Sequence, residues 1–166
     1  MNEKHPFIEH LERLQENKQA LAALRKGLGK PIGAATEMYA YVVPYIPDEA
    51  SIHVESIYYL VATLFALHPS SVSEGNFGDH YAQVLAMNPD ARVALERRFT
   101  CLLSAHSDDL PFYLRQSISF LKSKEVSINW NQLFQDLLKW NSPYKTVQRR
   151  WANKFWKETL EEKNTN

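Results

Sequence analysis

The side chains that could hold a metal ion or act as nucleophiles are few, and none has a catalytic spacing. The chain of 166 residues has six histidines without metal-ligand spacing and a single cysteine. His53 and Glu55 resemble the start of a zinc deaminase signature, but the paired cysteines that must follow are missing. Asp108 and Asp109 are adjacent carboxylates at a predicted helix start, where the helix dipole favours acids. With no Gly-rich phosphate loop either, the sequence predicts neither an enzyme nor a bound cofactor.

The charged residues favour the binding of a polyanion. The formal net charge is zero, but the charges are segregated along the chain. Residues 31–91 contain seven acids and neither Lys nor Arg, whereas residues 92–157 contain twelve Lys or Arg against five acids. Several helices that each present one or two cations would form a composite basic surface. Such a surface binds phosphates and carries little sequence information.

The stretch "VQRRWANKFW", residues 147–156, combines large aromatics with cations. At about 100° per residue, one face of its predicted helix is apolar and the opposite face is mainly cationic. The apolar face comprises Tyr144, Val147, Trp151 and Phe155, and the opposite face Lys145, Arg149 and Trp156. The first set is predicted to be core. Trp156 either stacks on a base or is covered by the C-terminal tail.

The elements that must position these residues are predicted to be helices throughout. Apolar residues recur at steps of three and four, and no strand-like alternation of useful length appears. The first stripe predicts one helix from about residue 7 to Gly27 or Gly29, bent or partly exposed at Lys18. Asp48 is predicted to cap a buried helix that ends at Leu67, and Asn129 to cap a later one. We expect an all-α, two-lobed bundle of six to eight helices.

The loop "HPSSVSEGNFGDH", residues 68–80, is the predicted connection between the lobes. The N-terminal lobe is placed at residues 1–78 and the basic C-terminal lobe at residues 79–166. The longest apolar run, residues 57–67, is too short to cross a bilayer, and the polar N-terminus does not resemble a signal peptide. Cys101 is predicted to be a small buried hydrophobe. These features predict a cytoplasmic protein without a membrane partner.

Four blocks of the sequence resemble, in order and spacing, the CasB-type small subunit of Cascade, the type I-E CRISPR interference complex. No block is a catalytic signature, but four ordered blocks over some 130 residues are more specific than any one of them. The blocks are "ALRKGLGKP" (23–31), "YYLVATLFALHP" (58–69), "ERRFTCLLSAHSDDLPFYLRQ" (96–116) and "INWNQLFQDLLKWNSPYKTVQRRWANKFW" (128–156).

The resemblance implies a non-enzymatic protein that assembles with other Cascade subunits, crRNA, target DNA and a second copy of itself. In that family, basic side chains hold the target and displaced strands of the R-loop without reading sequence. The cations of this chain that coincide with the blocks are Arg25, Lys26, Arg98, Arg115, Lys139, Lys145, Arg149 and Arg150. These eight are the predicted nucleic-acid contacts. Lys30 and Lys122 lie at or beyond the edge of a block and are weaker candidates.

Two other interpretations stay open. The chain could be a helical protein–protein adaptor whose cations only provide solubility, or an unrecognised hydrolase. The segregated charge also suggests that the acidic segment of one copy opposes the basic half of another, an association that high salt would weaken. The resemblance assigns no function to the loop at residues 70–78 or to the tail after Glu158.

Overall fold

The fold is described from a computed structural model that covers residues 3–165, with side chains as far as Leu160. These residues contain nine α-helices. The all-α class fits, because residues 3–165 contain no strand and only one isolated parallel bridge, between Ser71 and Ile128. The expected six to eight helices were too few. No helix in this range is long and apolar enough to cross a membrane. The helices are α1 (Pro6–Arg13), α2 (Lys18–Arg25), α3 (Tyr39–Val42), α4 (Ile52–Leu67), α5 (Phe77–Met87), α6 (Arg92–Leu103), α7 (Leu110–Ser123), α8 (Trp130–Leu138) and α9 (Thr146–Thr165).

Two predicted features of the N-terminal helices are wrong. The single helix expected over residues 7–28 is divided into α1 and α2, because the Asn17 side chain accepts a hydrogen bond from the Ala20 N–H at 3.0 Å and caps a new helix. The cap of α4 is Ser51 and not Asp48. The Ser51 hydroxyl oxygen accepts a hydrogen bond from the Val54 N–H at 3.2 Å.

The core is one continuous cluster of apolar side chains centred on α4. This helix is apolar around most of its circumference and packs against α2, α7 and α8. The C-terminal part of the core forms where α5 lies along α9, with the rings of Phe77 and Trp151 5.0 Å apart. The cluster includes residues from both halves of the chain. The predicted boundary between residues 78 and 79 falls in the first turn of α5, and the division into two lobes stays a prediction.

Asn129 joins the start of α8 to α5 and to the loop before it. Its side-chain oxygen accepts from the Gln132 N–H at 3.1 Å, as the predicted cap requires, and its side-chain nitrogen donates to the Gly75 carbonyl at 2.9 Å. Its backbone N–H donates to Nε2 of His80 at 3.0 Å. Burial lowers the pKa of His80 to about 4, against a smaller opposing effect of the Asp79 charge. The buried imidazole is therefore neutral at physiological pH.

Cys101 is exposed, which contradicts the prediction that it is buried. The inward stripe of α6 runs through Leu95, Phe99 and Leu102, four and three residues apart, and these side chains are buried. Cys101 lies outside that stripe. Its apolar neighbours in sequence therefore do not surround it in the fold.

Candidate nucleic-acid interface

Arg98 of α6 and Arg115 of α7 line the same groove, which has a volume of about 610 Å³. Both residues are exposed. The guanidinium carbon of Arg98 lies 4.3 Å from the centroid of the Phe120 ring, and Nζ of Lys124 lies 5.9 Å from the same centroid. Cation–π attraction at these distances favours both cations over that ring. The residues that line the groove are Arg98, Phe112, Arg115, Gln116, Ser119 and Phe120.

The turn after α2 lies against the Arg115 side chain. Gly29 adopts a left-handed conformation with φ of 73°, and a Cβ there would lie 2.7 Å from Nη1 of Arg115. The Arg115 guanidinium therefore packs directly against the Gly29 backbone, and a side chain at this position would displace it. Lys26 is exposed at the end of α2. We call Arg25, Lys26, Arg98 and Arg115 the first basic group.

Arg25 is held in place by the end of α4. Its Nη1 donates to the Ala66 carbonyl oxygen at 3.2 Å, one of the carbonyls that the last turn of a helix leaves without an intrahelical donor. Lys122 lies near the same helix end. Burial lowers the pKa of His68, which follows α4, and the positive charge of Lys122 adds to the effect, against an opposing hydrogen bond to the Val126 carbonyl. Lys122, a weaker candidate from the sequence, thus lies on the side of the protein where α4 ends.

The other four predicted contacts, Lys139, Lys145, Arg149 and Arg150, form what we call the second basic group. Lys139 and Arg150 lie near the buried carboxylate of Asp136. This carboxylate accepts from Trp151 Nε1 at 2.8 Å and from Gln132 Nε2 at 2.9 Å. Burial raises the pKa of Asp136, while these hydrogen bonds and the charges of Arg150 and Lys139 oppose the rise. Asp136 therefore offsets part of the positive charge of this group.

A strained turn leads into α9 and corrects the helical-wheel prediction. Tyr144 and Lys145 have φ of 63° and 51°, in the left-handed region that residues with side chains seldom adopt. Tyr144 is 86% exposed and not part of the core, because this turn precedes the regular helix. Val147, Trp151 and Phe155 are buried as predicted.

Lys145 and Arg149 are both exposed, but they belong to different elements. Lys145 is part of the left-handed turn, and Arg149 lies in the first turn of α9. Their common helical face was predicted from a regular helix that already included Lys145. The turn, and not the helical period, therefore sets the direction of Lys145.

Trp156 packs against the protein. Its ring centroid lies 5.6 Å from that of Phe99 on α6 and 4.8 Å from that of Phe155. The side chain is half-buried against the core. This packing covers much of the ring, which disfavours the base-stacking alternative. The alternative that the tail covers Trp156 concerns the residues after Glu158, of which the side chains after Leu160 lie outside the described part.

The side chains considered as catalytic candidates either make hydrogen bonds within the fold or are exposed to solvent. In the described residues, no three His, Cys, Asp or Glu side chains are grouped so that they could hold a metal ion. Nε2 of His53 makes a hydrogen bond to the Leu137 carbonyl at 3.1 Å. Asp108 lies 3.5 Å from Nδ1 of His106, with both side chains largely exposed. Exposed groups of this kind keep their hydration, which differs from the desolvated surroundings of catalytic acids and bases.

Sequence reasoning missed the uncharged part of the α6–α7 groove. A signal for it is present in the sequence, because Phe112, Gln116 and Phe120 recur at steps of four residues along α7, and Lys124, directly after its last residue, continues the series. A search for cations alone passes over the first three of these. The groove therefore emerges only from the packing of α7 beside α6.

Comparison with known proteins decides the family. A family model described as CRISPR-associated protein Cse2 matches residues 20–156. The chain belongs to the Cse2 family. The CRISPR-associated protein Cse2 of Thermus thermophilus is 34% identical over 159 residues, which cover 90% of this chain and 88% of the relative. The resemblance to the CasB-type subunit is thereby confirmed.

Two solved structures have the same fold as this chain. The crystal structure of M. ruber CasB aligns with a TM-score of 0.80 at 28% identity, covering 96% of each chain. A chain of a CRISPR RNA-guided surveillance complex aligns with a TM-score of 0.78 at 28% identity, covering 95% of each chain. The similarity extends over both predicted lobes, including the helices that carry the two basic groups.

Proposed function

We propose that this Cse2-family chain is the non-catalytic small subunit of a type I-E Cascade complex that acts in antiviral defence in the cytoplasm. Support comes from its match, over 95% of each chain, to a chain of a CRISPR RNA-guided surveillance complex. Its partners in this proposal are the other Cascade subunits, the crRNA and the target DNA.

The subunit binds nucleic acid through its exposed cations and without sequence specificity. The observation that carries this part of the proposal is the first basic group, in which Arg98 and Arg115 line one groove and Arg25 is fixed at the end of α4. Guanidinium groups form paired hydrogen bonds with phosphate oxygens, which are the same at every nucleotide. The exchange of a DNA duplex for an RNA–DNA duplex is nearly balanced in free energy. Backbone contacts to the target and displaced strands therefore stabilise the R-loop.

The second basic group contributes less to affinity than the first. Lys145 and Arg149 are exposed, but the carboxylate of Asp136 lies close to Lys139 and Arg150. A nearby negative charge lowers the local potential that a phosphate meets. Charge reversal in the first basic group should therefore weaken binding more than reversal of Lys139 and Arg150.

A second copy of the chain is the partner that the acidic segment favours. Five acids of residues 31–91 are exposed in a segment without Lys or Arg: Glu37, Asp48, Glu49, Glu74 and Asp90. In a head-to-tail pair, this segment, which lies mainly in the predicted N-terminal lobe, would oppose the basic residues 92–157 of its neighbour. Salt at about 0.5 M shortens the Debye length to a few ångströms and should weaken the pair, and self-association unchanged by salt would contradict the arrangement.

The rival function is a protein–protein adaptor whose cations serve only solubility. Anisotropy titrations of the full chain with labelled single- and double-stranded DNA, between about 50 and 200 mM salt, separate the two functions. If the chain binds through six phosphate contacts, its affinity should fall on the order of a thousandfold as the salt concentration rises over this range.

Charge reversals locate the contacts. The double variant Arg98→Glu with Arg115→Glu should lower affinity at least about tenfold and reduce the salt slope by roughly one for each phosphate contact removed. The matched control is Arg13→Glu with Lys18→Glu, which changes the net charge equally at exposed positions outside both groups. The adaptor function is supported if both pairs change binding to the same extent, or if neither changes it.

A further inference from the structure

Phe112 is a large apolar side chain that the fold leaves exposed in the α6–α7 groove, which is lined by polar and apolar groups in similar measure. It is 61% exposed, although α7 has a well-filled buried face through Leu110, Leu114 and Ile118. Its ring contacts the ring of Tyr113 edge-on, with centroids 5.4 Å apart. Burial of an aromatic side chain removes a large apolar area from water, so an exposed ring beside a cavity is a candidate contact for a ligand.

The outer face of α7 continues from Phe112 with groups of different chemistry. Arg115, Gln116 and Ser119 follow at three, four and seven residues, so they lie on the same side of the helix, and all are exposed. Gln116 can donate and accept hydrogen bonds through its amide, and Ser119 through its hydroxyl. The face therefore presents an aromatic ring, a cation and two uncharged polar side chains.

Arg98 completes the groove from α6. The Phe120 ring lies against its guanidinium at 4.3 Å, which orients the planar group. Guanidinium planes, like aromatic rings, are surfaces on which unstacked bases lie. Arg98 also lines the groove, so its guanidinium N–H groups can donate hydrogen bonds to a ligand there.

We propose that the α6–α7 groove binds an unpaired nucleotide, with its base on Phe112 and its phosphates at Arg98 and Arg115. The volume of about 610 Å³ accommodates a ligand of that size. Gln116 and Ser119 offer hydrogen bonds to a base edge without selecting one base, since each can donate and accept. A paired base has its faces covered by its neighbours and its edge occupied, so duplex nucleic acid reaches only the cations. The groove should thus bind single strands more tightly than duplex.

This inference rests on the proposed nucleic-acid function and deepens it. Phosphate contacts by the two basic groups would hold single- and double-stranded backbones alike. Phe112 adds a preference that depends on the base itself. The half-buried Trp156 does not compete for this role, because it is packed on Phe99 and Phe155.

The test compares three labelled ligands with the full chain: a short oligothymidylate, an abasic oligonucleotide of the same length, and the matching duplex. Phe112→Ala should lower affinity for the oligothymidylate by about 5- to 100-fold, the effect of one base–aromatic stack. Its affinities for the abasic strand and for the duplex should stay within about twofold of the wild-type values. Phe112→Trp should retain binding. Ile52→Ala removes another exposed apolar side chain, 79% exposed at the start of α4. This control variant should bind all three ligands with wild-type affinity.

The outcomes distinguish the inference from the proposed function. Wild-type chain that binds none of the three ligands overturns both. The inference is overturned if the wild-type chain binds the oligothymidylate and the abasic strand with equal affinity. It is also overturned if Phe112→Ala lowers the affinity for all three ligands equally. Either result leaves the proposed phosphate binding intact. A polyglutamate peptide that competes for the groove, and whose binding Phe112→Ala abolishes, would assign it to an acidic protein partner and also overturn the inference. Circular dichroism of each variant verifies the helical fold.

Discussion

The replacement of Gly78 by alanine tests the packing that joins α5 to α9. Gly78 lies in the first turn of α5, where a Cβ would fall against the carbonyl oxygen of Trp151 and 2.9 Å from its carbonyl carbon. These are backbone atoms of α9, so no side-chain rotation relieves the contact, and the helices must separate. Alanine gains about 1 kcal/mol over glycine in helix propensity. Overpacking costs about 1–3 kcal/mol, and we take the upper end, about 3 kcal/mol, because backbone must move here.

We expect Gly78→Ala to lower the free energy of unfolding by about 2 kcal/mol, or the Tm by roughly 4–8 °C for a chain of this size. Urea denaturation followed by circular dichroism measures the change. Gly27→Ala is the matched control, because a Cβ there would meet Sδ of Met38 at 2.5 Å, the flexible end of a side chain that can move. A Gly78→Ala variant as stable as the wild type would refute the close approach of α5 and α9.

Two further predictions concern buried polar groups. Trp151→Phe removes the indole donor to Asp136 and should cost about 1–3 kcal/mol of stability at neutral pH. NMR titration should show the pKa of Asp136 rising further in Trp151→Phe, and an unchanged pKa would contradict the role of that hydrogen bond. The pKa of His80 is about 4 in the folded chain and 6.5 in the unfolded chain. Between these two pH values the unfolded chain binds more protons than the folded chain, so the free energy of unfolding decreases as the pH falls. About 3 kcal/mol should be lost between pH 6.5 and pH 4 in urea denaturation, and parallel pH profiles for wild type and His80→Gln would exclude this assignment.

Helix interiors were predictable because a single period decides which side chains are buried. Val147, Trp151 and Phe155 follow that period and are buried, and Asn129 caps its helix as its residue type favours. Helix ends were less predictable, since several capping residues compete within a few positions. Asn17 caps a new helix within a stretch whose regularly spaced leucines predict one uninterrupted helix.

The arrangement of the interface depends on contacts between distant segments, which no local pattern encodes. Arg25 is bound to a carbonyl 41 residues further along the chain. The Arg115 guanidinium lies against Gly29, whose left-handed backbone creates the space. Tyr144 lies outside the predicted core because of an unforeseen strained turn. Residue types identified the cations, but only the packing of α6 beside α7 shows that Arg98 and Arg115 line one groove.

The most direct test of the proposed function is the lifetime of the R-loop on a reconstituted Cascade complex that contains this chain. Complexes with wild-type chain, with Arg98→Glu and Arg115→Glu, or with the control pair Arg13→Glu and Lys18→Glu are loaded on target DNA, and strand dissociation is followed after a competitor is added. The proposed function predicts that the first pair shortens the lifetime by at least about tenfold, since each hydrogen bond to a charged group is worth roughly 1 kcal/mol or more, while the control pair does not. Equal lifetimes for all three complexes, with assembly intact, would contradict it.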